Sequence, residues 1–342
     1  MSLPRNANGD VVFVPPLGLT KWPPVQEWAE PEWTCWLTQH GWSPEAIAQY
    51  LDHDRFLYGV GFTDEGERAE PANAYAGDVT WLYLPTPRGV TLHATRTSGV
   101  PNFLWGGSAG GTKSHTARWE AIAEGLFTTK EDYRAIVIRR ELEELRRTHL
   151  DDLQQEQHKI NDALGHIAVK VTVQPPAATF NDTGAKIIFG HCQNLGDENK
   201  YLSEDYDLFI ADEGTLLYWK QLVGVQGRVR NDTKRNRVGR MILTTNPGGP
   251  SHQACVEHFI TKTGPSVAKN KKYRPEHYAF VQSSLYDNPY YMDADGSYDT
   301  YETRLWMYDT ERRRQLLDGD WHTVVGQFFS EFSPATHIQA VA

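Results

Sequence analysis

The chain has 342 residues, 39% hydrophobic and 23% charged, with a formal net charge of −10. These are the proportions of a soluble globular protein of one large or two modest domains, and the acidic balance is unlike that of a free-standing duplex-DNA binder, which carries a basic face. No run of about 18 apolar residues marks a membrane span, and the opening "MSLPRNANGDVVFVPP" lacks the basic start and apolar core of a signal peptide. Cys35, Cys192 and Cys255 lie far apart with no C-x-x-C pair, which suits a reducing cytosol and argues against a disulfide framework or cysteine zinc site.

Residues 1–80 are rich in proline and tryptophan and read as an N-terminal extension with one helical stretch. In "WSPEAIAQYLDHDRF" Ser43 is placed to cap, Pro44 opens the helix and Glu45 sits in the first turn. Residues 62–78 form a polar loop. From about 81 the pattern becomes apolar runs alternating with amphipathic helices. "NFLWGG" predicts a strand, "KSHTARWEAIAEGLF" a helix, "YRAIVIRR" a buried strand and "ELEELRRTHLDDLQQEQHKI" a charged helix. "AKIIFGHC", "YDLFIADE" and "RMILTTNPGG" are further strands, and "YETRLWMYDTERRRQLLDGDW" is a helix ending near Gly319. The alternation predicts a mostly parallel, doubly wound α/β sheet. Two basic stretches, 227–240 and 269–274, read as solvated loop charge with the capacity to meet phosphates.

Between the first strand and its helix stands "GGSAGGTKSH". The phosphate-cradling loop G-x-x-x-x-G-K-[ST] uses glycines to aim backbone N–H groups at phosphate oxygens, ahead of the positive end of a helix. Here Gly107, Ser108, Ala109, Gly110, Gly111, Thr112, Lys113, Ser114 and His115 supply the candidate ATP-binding run. Lys113 is placed for the β- and γ-phosphates and Ser114 for Mg²⁺. Thr112 stands where the pattern has glycine. If that position needs positive φ, a β-branched residue is strained there; if it needs only a small side chain, threonine fits. The bland reading is a strand–turn–helix corner with a chance Lys-Ser.

"YDLFIADE" ends in Asp212 and Glu213. The first carboxylate is a candidate Mg²⁺ holder with Ser114, and the second a candidate to orient or deprotonate the attacking water. "MILTTNPGG" brings Thr244, Thr245 and Asn246 to the same sheet edge, where open α/β sheets bind ligands. Taken singly, an acidic strand end and a Pro-Gly-Gly turn are ordinary features; together with the loop they form a constellation.

That series resembles the ATPase region of tailed-bacteriophage terminase large subunits, the DNA-packaging motors. The resemblance runs from roughly Pro85 to Phe332 through "PTPRGVTLHATRTSGVPNFLWGGSAGGTKSH", "IVIRRELEEL", "LFIADEG", "GRVR", "ILTTNPGGPSH", "SSLYDNPYY", "ERRRQLLDGDW" and "GQFFSEF". It implies an additional-strand, RecA-like P-loop ATPase core at 81–262 and a small C-terminal linker subdomain at 263–332. Residues 333–342 would begin the connection to an RNase H-like nuclease, whose activity is not expected in this chain. The resemblance further implies Lys113 and Ser114 as the P-loop pair, Asp212 and Glu213 as the Walker B pair, and Thr244–Asn246 as the coupling motif.

As cofactors it implies ATP and Mg²⁺. As partners it implies duplex DNA, a homo-oligomeric ring (commonly a pentamer) on the portal protein, and a small terminase subunit, with no membrane. The site of action is the host cytoplasm, docked transiently on the viral procapsid. A basic residue from a neighbouring subunit would assist catalysis: Arg228 and Arg230, which match a family "RxR", come first, ahead of Arg139, Arg140 and Lys200. Gly89 stands where the family often has an adenine-reading glutamine; His93 or the Arg88 backbone are the substitutes. The competing readings are a related RecA-like translocase or helicase, and a nucleotide-binding, weakly active or inactive ring component.

Overall fold

A computed structural model describes residues 3–130, 132–234 and 237–322. Among the described residues ten strands form two sheets: β1 (Val60–Thr63) and β2 (Val79–Tyr83) pair antiparallel on their own. The other eight are β3 (Asn102–Gly107), β4 (Arg134–Arg139), β5 (Val169–Val173), β6 (Pro176–Phe180), β7 (Lys186–His191), β8 (Leu208–Asp212), β9 (Arg240–Thr245) and β10 (Tyr278–Ser283). They lie in the order β10-β3-β9-β8-β4-β7-β6-β5. Strands from β10 to β7 are parallel, and β6 and β5 continue antiparallel at one edge. β9 lies between β3, which carries the glycine loop, and β8, which carries the carboxylates: the additional-strand order of a RecA-like ATPase.

The central strands read as unbroken apolar runs because both faces of the sheet are covered. Successive residues alternate between two cores. Phe103, Trp105, Ala135, Val137, Ile210 and Ile242 pack with the helix Lys113–Phe127 on one face, through Trp119 and Ile122. Leu104, Ile136, Ile138, Phe209 and Leu243 face Leu222, Val225 and Phe259 on the other. With parallel strands, every C-terminal end points to one edge, and loops 108–112, 213–216 and 246–250 all gather there.

The strands and helices expected for the core are present, with local differences. The β5–β6 hairpin is not among the expected elements, although Val169, Val171 and Val173 alternate with polar residues as a half-buried strand does. The expected long helix before Gly319 is two pieces, Asp299–Leu305 and Thr310–Asp318, because the Asp309 side chain accepts from Arg312 N and starts a new helix. Gly319 does end it, at φ +64. A boundary drawn at 262 divides the sheet, since β10 returns to pair along the whole of β3.

The N-terminal extension is likewise no separate body. Phe13, Trp22, Trp28, Trp33 and Trp36 form one buried cluster with Leu285 and Tyr298. His40 Nε2 lies 2.7 Å from the Tyr286 carbonyl, and the Tyr50 hydroxyl donates to Pro85 O at 3.0 Å. Residues 333–342, and the "GQFFSEF" segment before them, lie outside the described residues.

Candidate nucleotide site

β3 ends at Gly107, and the loop Ser108–Thr112 leads directly into the helix at Lys113. Two glycines are dictated by a neighbour. A Cβ on Gly107 would stand 2.0 Å from Ser283 O, and one on Gly111 would stand 1.9 Å from Ser283 Oγ. The end of β10 thus forms the floor of the loop. Asn288 Nδ2 donates to Gly110 O at 2.6 Å and fixes it further. Two expected phosphate donors are committed elsewhere: Ser108 N donates to Ser283 O at 3.0 Å and Ala109 N to Leu316 O at 2.6 Å. Among the described residues, the amides of Gly110, Gly111, Thr112, Lys113 and Ser114 have no such partner, and they form the open cradle at the helix start.

Thr112 adopts φ +60, ψ +7, the left-handed region. The position therefore needs positive φ, and the strained alternative is the one realised. An L-residue costs about 1–2 kcal/mol there, and the threonine side chain makes no capping bond in return.

Lys113 is buried and donates to Ser108 O at 2.5 Å, folded back onto its own loop. Burial lowers its pKa to about 8, opposed by the charges of Glu213 and Asp212. Ser114 Oγ donates to Asp212 Oδ1 at 2.7 Å. The same oxygen accepts from Thr244 Oγ1 at 2.6 Å, and Oδ2 faces His149 Nε2 at 2.9 Å and Arg139 Nε at 3.1 Å. Burial opposes ionisation of Asp212, but the His149, Arg139 and Thr244 contacts outweigh it and hold the carboxyl well below its usual range. Glu213 is different. Burial and the adjacent Asp212 charge push its pKa up, against Arg139, Lys113 and Arg312. One carboxylate is held charged and the other is shifted toward taking a proton, a division suited to a cation holder beside a base.

Of the coupling residues, only Asn246 faces the cavity. Thr244 serves Asp212, and Thr245 Oγ1 is engaged with the Thr215 hydroxyl at 2.6 Å. Asn246 lines the cavity with a buried Oδ1 that has no partner among the described residues. The cavity holds about 670 Å³ and is bounded by the loop, Glu213, Asn246 and four tyrosines, Tyr83, Tyr290, Tyr291 and Tyr301. Ser114 Oγ and Asp212 Oδ1 are in contact, Glu213 lines the cavity beside them, and these oxygen ligands fit a hard divalent cation such as Mg²⁺.

No protein-family model matches the chain, and no curated protein matches it in sequence. Solved structures do match in shape. The large terminase of a thermophilic bacteriophage aligns at TM-score 0.53 and 14% identity, over 70% of this chain and 54% of its own. The same terminase in complex with ADP aligns at 0.52 and 15%, over 69% and 53%. The HK97 bacteriophage large terminase aligns at 0.50 and 9%, over 80% and 54%. The chain has the fold of the large-terminase ATPase region. It spans about half the length of these terminases.

Within this terminase-like fold, the arginine candidates separate. Arg139, at the end of β4, touches both Asp212 and Glu213, the latter at 3.5 Å. Arg228 and Arg230 lie at the opposite edge, where Arg228 Nη2 pairs with Asp205 at 2.6 Å and Arg230 Nε with the same oxygen at 3.4 Å. They reach this site only if that edge of another copy is brought to it. Lys200 pairs with Asp197 in its own turn. His115 lines the cavity, and burial with Arg118 nearby lowers its pKa to about 4, so it is neutral.

Neither His93 nor Arg88, the positions offered as substitutes for an adenine-reading glutamine, lines the cavity. His93 is buried between Tyr83 Oη at 2.8 Å and Glu120 Oε2 at 2.5 Å, and Arg88 pairs with Asp287 at 3.2 Å. Gly89 is packed so tightly that a Cβ would lie 3.2 Å from Pro85 Cβ. Sequence reasoning missed His149, Asn288 and the tyrosines Tyr290, Tyr291 and Tyr301. His149 sits mid-helix in a charged run with no local signal, and the others follow β10, which falls outside the core expected from the sequence.

Proposed function

We propose that this chain is the ATPase of a viral DNA-packaging motor, coupling ATP hydrolysis to duplex-DNA translocation into a procapsid. The observation that carries the reading is Asp212 Oδ1 held by Ser114 of the loop and Thr244 of the intervening strand, with Glu213 beside it. In the reaction, Lys113 turns from Ser108 O to the β- and γ-phosphates, and the amides of 110–114 bind the phosphate oxygens. Glu213 takes a proton from water as its oxygen bonds to the γ-phosphorus. The bond from that phosphorus to the β–γ bridging oxygen breaks, giving ADP and phosphate. Ser114 and Asp212 would hold Mg²⁺, which would neutralise phosphate charge. Asn246, on this reading, senses the γ-phosphate.

The working form on this reading is a homo-oligomeric ring on a portal protein, with a small terminase subunit as partner, acting in the host cytoplasm. Arg228 and Arg230 then belong to the face a neighbour presents, and the basic stretches 227–240 and 269–274 pool into a positive channel around DNA. The test is phosphate release with and without duplex DNA, for wild type and Glu213→Gln. DNA-stimulated release that the substitution abolishes supports the reading; release that survives it removes Glu213 from the chemistry. A second reading, a nucleotide-binding but inactive ring component, draws on the strained Thr112. It predicts nucleotide binding with no release in the same assay.

A further inference from the structure

The end of the cavity away from the carboxylates has a chemistry of its own. β3 is flanked by β9 on one side and β10 on the other. Asp212, Glu213 and Asn246 come from the β9–β8 side and mark the γ-phosphate end. The chain after β10 builds the opposite side, where Tyr290, Tyr291 and Tyr301 line the cavity together with Leu82 and Leu84. A triphosphate lying along the loop with its γ end at Glu213 delivers its base among these rings.

The rings are positioned and still open. The Tyr291 ring packs on the loop, 3.0 Å from where a Gly110 Cβ would stand, and stacks on Tyr301 with centroids 4.5 Å apart. Tyr290 and Tyr291 nevertheless remain 52% and 44% exposed. Two polar side chains that line the cavity on this side, Asn288 and Thr86, are committed elsewhere. Asn288 Nδ2 donates to Gly110 O, and its Oδ1 accepts from Tyr290 N at 3.1 Å. Thr86 Oγ1 accepts from Gly89 N at 3.2 Å, and Pro85 O accepts from Tyr50. Tyrosine hydroxyls donate or accept, so they suit a 6-amino and a 6-oxo purine equally.

We propose that this site holds the nucleobase by tyrosine stacking without reading its edge, so that it takes GTP as well as ATP. The inference rests on the nucleotide reading above. Stacking tolerates any base because every base has a π-face. A site built on hydrogen bonds to one base rejects the other by orders of magnitude, because buried polar groups are left unpaired.

The test measures affinity for ATP and GTP by calorimetry in wild type, Tyr290→Ala, Tyr291→Ala and the corresponding phenylalanine variants. Tripolyphosphate, which has no base, is the control for an intact loop. In wild type the two nucleotides bind within about tenfold of each other. At least one alanine variant weakens both by about fivefold or more, its phenylalanine counterpart does not, and tripolyphosphate affinity stays put. An ATP preference above about tenfold, or alanine variants that bind both nucleotides as wild type does, overturns the inference and leaves the hydrolase reading standing. Binding of neither nucleotide nor tripolyphosphate takes down both.

Discussion

Thr244 on β9 donates its hydroxyl to Asp212 on β8 at 2.6 Å, so the inserted strand grips the carboxylate directly. The bond is buried and its acceptor is charged, a kind worth about 1.5–3 kcal/mol. Thr244→Val keeps the shape and removes the donor. It should lower unfolding free energy by about 2 kcal/mol, and Thr244→Ser should recover most of the loss. Urea denaturation of the three proteins checks this; a valine variant as stable as wild type would show that His149 and Arg139 suffice.

Thr112 predicts the opposite sign. Glycine tolerates positive φ, at the expense of some extra freedom in the unfolded chain. Thr112→Gly should stabilise the protein by about 1 kcal/mol, read as a raised denaturation midpoint. It should also raise nucleotide affinity or turnover. A loss in both would mean that the left-handed threonine is native to the loop's working shape.

Lys113 gives a pH signature in binding. Burial holds its pKa at about 8. A bound triphosphate adds negative charge and raises that value, so binding takes up a proton at alkaline pH. Affinity should therefore be flat below about pH 8 and fall as pH rises beyond it. Lys113→Ala should bind more weakly throughout and lose the alkaline decline. Calorimetry on both sides of that pKa decides the point, and an unchanged slope in the variant would assign the proton to another group.

Glu213 gives the acid limb. Burial and its neighbour's charge raise its pKa, so its carboxylate is lost, as pH falls, earlier than an exposed one. Turnover should drop on acidification above the usual carboxylate range. Glu213→Gln should reduce turnover at least about 100-fold while retaining nucleotide binding. Equal turnover in the variant would place the base elsewhere.

Much of this was legible along the chain, and the reasons are physical. β3, β8 and β9 are buried on both faces and so read as continuous apolar runs, and their polar C-terminal residues read as a site because parallel strands gather those ends. The Lys113–Phe127 helix announced itself by a loop of glycines before it and periodic apolar residues within. What stayed hidden depended on packing between distant segments. Nothing near His149 says that a mid-helix histidine will meet Asp212, 63 residues away. Nothing in "YAFVQS" says it will lie beside β3, because the sequence between β9 and β10 is long and the strand is short. Arg139 was visible as a cation, but its place beside both carboxylates follows only from the pairing of β4 with β8.

The aromatic cluster at the N-terminus has a practical corollary. Leu285 and Tyr298 are fully buried under Phe13, Trp36 and their neighbours, and Tyr290 and Tyr291 of the cavity wall lie between them in the chain. A shortened protein beginning near β1 would strip that cover and leave two large apolar side chains wet. The first sixty or so residues therefore act as a splint for this cleft, and a minimal folded fragment has to include them.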